Sequence, residues 1–78
     1  MAQTYNEIVA GEVRAEMARQ KRSQDNLSAE LGWTQAFLSR RLTGKNAFST
    51  DEIEAVARVL GVPLSQLAAV PAPDEVAS

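Results

Sequence analysis

The chain has 78 residues, of which 45% are hydrophobic and 5% aromatic, a length that suits one compact domain with a small aliphatic core. It contains no cysteine and no histidine, which excludes disulfides, thiolate metal sites and catalysis by a histidine base. The sequence also has neither a glycine-rich phosphate loop nor a catalytic pair of carboxylates, so we predict neither an enzyme nor a bound cofactor.

The net charge of −2 is unevenly distributed along the chain. Residues 19–47 carry six basic and two acidic side chains, a net of +4, whereas residues 1–18 and 48–78 carry −2 and −4. A basic middle between acidic flanks is the one-sided pattern that favours phosphate binding. The alternative interpretation is an ordinary solvated charged surface.

No segment has the features of a targeting or membrane-spanning sequence. The first residues lack the basic start and apolar run of a signal peptide, and no apolar stretch approaches the ~20 residues of a membrane span. We therefore expect a soluble protein of the bacterial cytoplasm that does not contact a membrane.

The first predicted helix covers residues 3–21. Apolar side chains recur there at three- and four-residue spacing, which gives one apolar face. That face consists of Tyr5, Ile8 or Val9, Val13 and Met17. Gly11 weakens the helix, because a glycine in a helix interior costs about 1 kcal/mol relative to alanine, but it is compatible with one continuous element.

Two short helices joined by a tight turn are predicted next. Ser23 is the expected N-cap of a helix over residues 24–31, and Gly32 ends that helix because it adopts a left-handed conformation at low cost. Thr34 is the expected N-cap of a third helix over residues 35–43. The inward side chains of the two helices are Leu27, Leu31, Leu38 and Leu42. This order of elements is the sequence form of a helix-turn-helix.

A fourth helix is predicted to begin after Ser49, which forms a capping box with Glu52 and is followed by a regular apolar face. Gly61 ends this helix, and Pro63 is suited to begin a short fifth one. The last residues contain two prolines and no helical period. We therefore predict an all-α, five-helix domain over residues 1–70 and a flexible C-terminal tail over residues 71–78.

Residues 23–67 also contain a set of motifs in one register. These are Gln24, Leu27, Ser28, Leu31, Gly32, Thr34, Gln35, Leu38, Ser39, Arg40, Gly44, Lys45, Ala57, Leu60, Gly61 and Val62. In this register the chain resembles the phage-repressor and Cro type of helix-turn-helix, the XRE family, and residues 5–22 fit its first helix. The resemblance implies a compact lambda-repressor-like DNA-binding domain. Arg22 and Arg41 depart from it, since the family usually has apolar residues at both positions.

The resemblance implies that the third helix enters the major groove and contacts base edges. Matching to the family motif assigns base contacts to Gln35, Ala36 and Arg40, and Phe37 and Ser39 also face outward. An amide suits adenine, a guanidinium suits guanine and a methyl group suits the thymine methyl. The alternatives are a helix-start residue without a base partner for Gln35, and a phosphate contact or solvated charge for Arg40.

The orientation of Phe37 has two interpretations. If the ring faces outward it can cover thymine methyl groups, and if the helix is rolled slightly it packs against Trp33. We favour partial burial, because aromatic side chains lie more often in a core than at a contact surface. Trp33 is expected to have a structural role in holding the second and third helices together.

Contacts to the DNA backbone are expected from both ends of the helix-turn-helix. Gln24 matches the phosphate-contacting glutamine of the family, and Arg41 is expected to lay its stem over the core and extend its guanidinium to a phosphate. The full predicted set of phosphate contacts is Arg22, Ser23, Gln24, Thr34, Arg41, Thr43, Lys45 and Asn46. For Ser23 the alternative, a helix cap alone, is compatible with a phosphate contact.

The sequence therefore indicates a sequence-specific regulator of transcription that binds double-stranded DNA, most simply a Cro-like phage or prophage repressor. Such proteins usually bind as homodimers to an inverted-repeat operator. The expected dimer surface, which alternatively closes the monomer core, is Val62, Leu64, Leu67, Ala68 and Val70. The alternative functions are an antitoxin-type regulator and a protein-interaction module of the same fold, which the acidic pI of about 5 leaves open.

Overall fold

The computed structural model describes residues 4–68, which form five α-helices. They are α1 Tyr5–Gln20, α2 Gln24–Leu31, α3 Gln35–Leu42, α4 Thr50–Leu60 and α5 Leu64–Ala68. The predicted all-α, five-helix domain is thus confirmed. The predicted tail, residues 71–78, and the domain end at residue 70 lie outside the described residues. Within residues 4–68, no helix is long and apolar enough to cross a membrane.

Hydroxyl side chains begin the first four helices. In each case the hydroxyl oxygen accepts a hydrogen bond from the backbone N–H three residues later, and such a cap contributes about 1 kcal/mol. The caps are Thr4, Ser23, Thr34 and Ser49. The last three were predicted from the sequence, and Glu52 completes the predicted capping box of α4. Thr4 forms a second capping box with Glu7, which was not predicted.

The predicted apolar face of α1 is buried except at its first residue. Val9, Val13 and Met17 are buried, whereas Tyr5 is 50% exposed and lines a surface cavity together with Val9 and Ile53. Tyr5 occupies the first turn of α1, at the margin of the core. The helix runs through Gly11 without a break and ends at Lys21, which has a left-handed φ of 57°.

The core lies where all five helices meet. Its largest fully buried side chains are Val13, Leu27, Leu38, Leu42, Val56 and Leu67. Leu31, on the predicted inner face of α2, is only partly buried but packs against this core. Because the buried leucines of α2 and α3 share one core, the relative position of the two helices is fixed by their inner faces.

A buried carboxylate links α1 to α5. Glu16 is 7% exposed, and its carboxylate accepts hydrogen bonds from Arg19, Gln20 and Gln66. The Gln20 amide also donates to the Leu60 carbonyl at the end of α4, at 2.7 Å. Hydrogen bonds from Gln20 and Arg19, reinforced by the Arg19 charge and Gln66, outweigh desolvation and hold the pKa of Glu16 below its ordinary value.

Candidate nucleic-acid interface

The turn between α2 and α3 has the geometry that the sequence predicted. Gly32 has a φ of 75°, a left-handed conformation that glycine adopts with little strain. The backbone N–H of Trp33 then donates to the Ser28 carbonyl at 2.9 Å, and the Thr34 hydroxyl accepts from the backbone N–H of Phe37 at 3.1 Å. These bonds close α2 and start α3 within three residues, so α3 leaves the turn in a defined direction.

The exposed surface of α3 holds the predicted base-contacting residues. Leu38 and Leu42 are buried at 0% and 2% exposure, which turns the opposite side of the helix to solvent. Ala36 and Arg40 are exposed there, and Gln35 is exposed at the first position of the helix, on the side of the two leucines. Ser39 and Phe37 are partly buried and lie on the two flanks of the exposed face.

Phe37 adopts the packed orientation that the sequence analysis favoured. Its ring is partly buried and meets Trp33 edge-on, with the ring centroids 5.0 Å apart and the planes 62° apart. The Arg41 guanidinium carbon lies 3.6 Å from the Phe37 ring centroid, in cation–π geometry. Trp33 packs against the hydrophobic core, consistent with the structural role expected for it.

Arg41 and Arg22, the two departures from the family pattern, are both ion-paired within the domain. Nε of Arg41 lies 2.9 Å from Oε1 of Glu52 in the first turn of α4. Nη1 of Arg22 lies 3.1 Å from Oε1 of Glu30 and donates to the side chain of Asn26. Both guanidinium groups already have partners in the free protein, and a phosphate contact is the alternative role for each arginine.

The carboxylate of Glu52 accepts hydrogen bonds from two parts of the fold. It accepts from the Arg41 guanidinium and, through Oε1, from the Ser49 N–H at the start of α4. Partial burial acts to raise the pKa of Glu52, but the Arg41 and Ser49 hydrogen bonds outweigh it and leave the pKa below its ordinary value. Glu52 is therefore the ionised link between α3 and α4.

The predicted phosphate contacts at the helix ends are accessible. Ser23 and Thr34 are exposed, and each hydroxyl uses an oxygen lone pair for capping, which leaves its O–H available as a donor. Gln24, at the first position of α2, is partly buried. The hydroxyl groups at the starts of α2 and α3 are thus open to solvent.

The loop after α3 folds back on that helix. The Thr43 hydroxyl and the Asn46 N–H both donate to the Arg40 carbonyl, at 3.0 and 3.2 Å. Thr43, Lys45 and Asn46 are exposed. The predicted phosphate contacts of this loop are therefore held close to the C-terminus of α3.

Intramolecular ion pairs occupy half of the basic side chains in residues 19–47. Arg19, Arg22 and Arg41 pair with Glu16, Glu30 and Glu52. Among the described residues, no carboxylate forms an ion pair with the other three, which are Lys21, Arg40 and Lys45. Arg40 and Lys45 lie in α3 and its following loop, so the available positive charge is concentrated around that helix.

Two contacts that position α3 were not predicted. Nη1 of Arg14 in α1 donates to the Leu42 carbonyl at the C-terminus of α3. Gly44, with a φ of 84°, brings the next loop against Glu7, whose Cγ would lie 3.1 Å from an added Cβ. Arg14 and Leu42 are 28 residues apart, and no local pattern in the sequence indicates this contact.

The residues of the predicted dimer surface differ in burial. Leu67 and Ala68 are 0% and 9% exposed and belong to the core of the monomer. Val62 and Leu64 are only partly buried and pack against that core, and Val70 lies outside the described residues. Closure of the monomer core, the alternative role, accounts for the buried part of this surface.

Comparison with known protein families matches residues 13–67 to a family described as helix-turn-helix, the XRE/Cro/C1 type. The matched region runs from the second half of α1 into α5 and includes both helices of the turn. No curated protein and no solved structure matches the chain significantly. The family consists of DNA-binding domains without catalytic activity, which confirms the prediction that the chain is not an enzyme.

Proposed function

Because the chain belongs to the helix-turn-helix family of the XRE/Cro/C1 type, a family of DNA-binding domains that regulate transcription, we propose that it is a Cro-like phage or prophage repressor. The observation that carries this proposal is the exposed surface of α3, which presents Ala36 and Arg40 opposite two buried leucines and Gln35 at the start of the helix. A regulator of this kind acts on its operator in the bacterial cytoplasm.

The base-reading roles follow from the chemistry of this surface. Arg40 donates two hydrogen bonds to O6 and N7 of guanine, and Gln35 pairs with N6 and N7 of adenine. Ala36 and Ser39 contact neighbouring base edges, and the partly buried Phe37 ring contacts a thymine methyl group. Each bidentate pair discriminates against a wrong base by about 1–3 kcal/mol.

Contacts to the DNA backbone come from both sides of α3. Ser23, Gln24 and Thr34 bind phosphates with their side chains and with the free N–H groups at the starts of α2 and α3. After α3, Thr43, Lys45 and Asn46 bind the opposite strand. These contacts set the register of the domain and carry no sequence information by themselves.

A homodimer on an inverted-repeat operator is the assembly that this function requires. One helix reads only a few base pairs, and two copies related by a two-fold axis double the site when the half-sites lie about one helical turn apart. The partly buried Val62, before α5, and Leu64, its first residue, are the side chains available to such a contact.

A protein-interaction role, including that of an antitoxin-type regulator, is the second candidate. It is favoured by the internal pairing of three basic side chains, which leaves few cations for a polyanion. The two functions differ in their response to salt, since DNA affinity falls steeply as counterion release becomes less favourable.

Selection of bound sites from a random DNA pool tests the proposal. A repressor enriches two-fold symmetric sites whose halves lie about one helical turn apart, and its affinity for them falls as salt is raised. Enrichment of no sequence, with binding that is weak and equal on all DNA, would overturn the proposed function in favour of the interaction module.

A further inference from the structure

Three side chains on one flank of the helix-turn-helix form a continuous stack that reaches α4. Phe37 and Arg41 are four residues apart on the same side of α3, and Trp33 lies in the turn just before that helix. Trp33 meets the Phe37 ring edge-on, and the Arg41 guanidinium covers the ring at 3.6 Å. We name these three residues, together with Glu52, the flank stack.

The far end of the flank stack is fixed. Nε of Arg41 donates to one carboxylate oxygen of Glu52 at 2.9 Å, and Nη2 donates to the other at 3.5 Å. The side chains are only 14% and 21% exposed. Glu52 is in turn fixed by the Ser49 N–H in the capping box of α4. The Phe37 ring therefore contacts both Trp33 and a guanidinium group that is tied to another helix.

The position of the ring relates the stack to base reading. Successive residues are rotated by about 100° around a helix, which puts Phe37 beside Arg40 at the margin of the exposed face. The ring is only partly buried, so part of it remains accessible there. An immobilised apolar surface beside the major-groove face of α3 is suited to the 5-methyl group of thymine, which is the apolar feature of that groove.

We propose that Arg41 is a positioning residue, which through Glu52 holds Phe37 as a fixed apolar contact that distinguishes thymine from bases without a 5-methyl group. This inference rests on the proposed DNA-binding function and extends it. Phe37 is the specificity-determining residue, and Arg41 acts through it. A lysine cannot replace Arg41 here, because an ammonium group has neither the planar stack nor the two-donor fork.

The test measures affinity for an operator in which single thymines are replaced by deoxyuridine, which removes only the methyl group. The affinity of the wild-type protein should fall about fourfold when deoxyuridine replaces one particular thymine in each half-site. This is the loss expected for removal of one methyl-sized apolar group. Arg41→Gln and Arg41→Lys should bring this thymine-to-uracil ratio close to one, with the salt dependence of binding unchanged.

Two further variants test whether the ratio depends on the positioning of Phe37 or on the loss of a positive charge. Glu52→Gln keeps a side chain that closes the capping box but removes the ionic link, so it should also lower the ratio. Arg58→Met removes a positive charge from an exposed residue of α4 and should keep the wild-type ratio. Fluorescence of Trp33, the one tryptophan in the chain, should change in the Arg41 and Glu52 variants before DNA is added.

The outcomes distinguish this inference from the proposed function. If the wild-type protein binds DNA with sequence preference but tolerates deoxyuridine at every position, the inference alone is overturned. It is equally overturned if Arg41→Lys retains the ratio while Arg41→Gln weakens all DNA alike and reduces the salt slope by about 0.9, since Arg41 is then a phosphate contact. Absence of any sequence preference would overturn both.

Discussion

Among single residues, Arg40 and Lys45 carry the same charge in adjacent parts of the interface but are expected to contact different parts of the DNA. Arg40→Ala should relax specificity at one base pair per half-site, at a cost of about 1–3 kcal/mol for the preferred sequence. Lys45→Ala should weaken binding to all sequences alike and reduce the salt slope by about 0.9 per site, because it removes one phosphate contact. Binding to an operator set with single base substitutions measures both effects.

Arg58→Met is the matched control for the loss of one positive charge outside α3, and it should leave the sequence preference unchanged. An equal loss across all operators for Arg40→Ala would contradict its base-reading role. A loss confined to one base pair for Lys45→Ala would contradict its assignment to the backbone.

At the scale of elements, the loop after α3 depends on Gly44 and α1 tolerates Gly11. Gly44→Ala should lower the free energy of unfolding by about 1–2 kcal/mol, because a side chain is strained in the left-handed region and the new Cβ would meet Glu7. Gly11→Ala should raise the free energy of unfolding by about 0.5–1 kcal/mol, since residue 11 is helical. The atom nearest to an added Cβ there is the tip of Arg14, at 3.8 Å.

Urea denaturation measures the free energy of unfolding of both variants. Each variant is the control for the other, because the two changes are expected to have opposite signs. Destabilisation by both substitutions would contradict the distinction between the two glycines. Because the loop holds Lys45 and Asn46 beside the C-terminus of α3, Gly44→Ala should also weaken DNA binding, whereas Gly11→Ala should not.

The elements were predicted well because their signals are local. Ser23, Thr34 and Ser49 begin helices through contacts that reach only three residues along the chain, so sequence alone identifies them. The contact of Arg14 with Leu42 and the pair of Arg41 with Glu52 join different helices. Local spacing has no information on such contacts, which is why Glu52 was recognised only as a capping residue.

At the scale of the whole molecule, two carboxylates make stability depend on pH. The pKa values of Glu16 and Glu52 are lowered in the folded state, so the unfolded chain binds more protons than the folded one near their ordinary value of 4.5. The contribution of the two ionised carboxylates to the free energy of unfolding is complete above that pH. It is lost as the pH falls through their lower pKa values in the folded protein. Urea midpoints should therefore fall on acidification from about pH 5 to pH 3.

The double variant Glu16→Gln with Glu52→Gln should have a flatter pH profile over the same range, because neither position can then release a proton. Glu54→Gln, which removes an exposed carboxylate outside both networks, is the matched control. A double variant that keeps the wild-type dependence would contradict the assignment of the acid sensitivity to these two residues.

Sequence alone is sufficient to predict the all-α class, three of the four hydroxyl caps, the turn at Gly32 and the inward leucines of α3. Capping geometry and helical periodicity act over a few residues, so the order of residues is sufficient to predict them. The stacking of Phe37, the ion pair of Arg41 and the burial of Leu67 in the core become visible only in the folded structure. These features depend on which surfaces of separate helices meet, and only the packed core determines that.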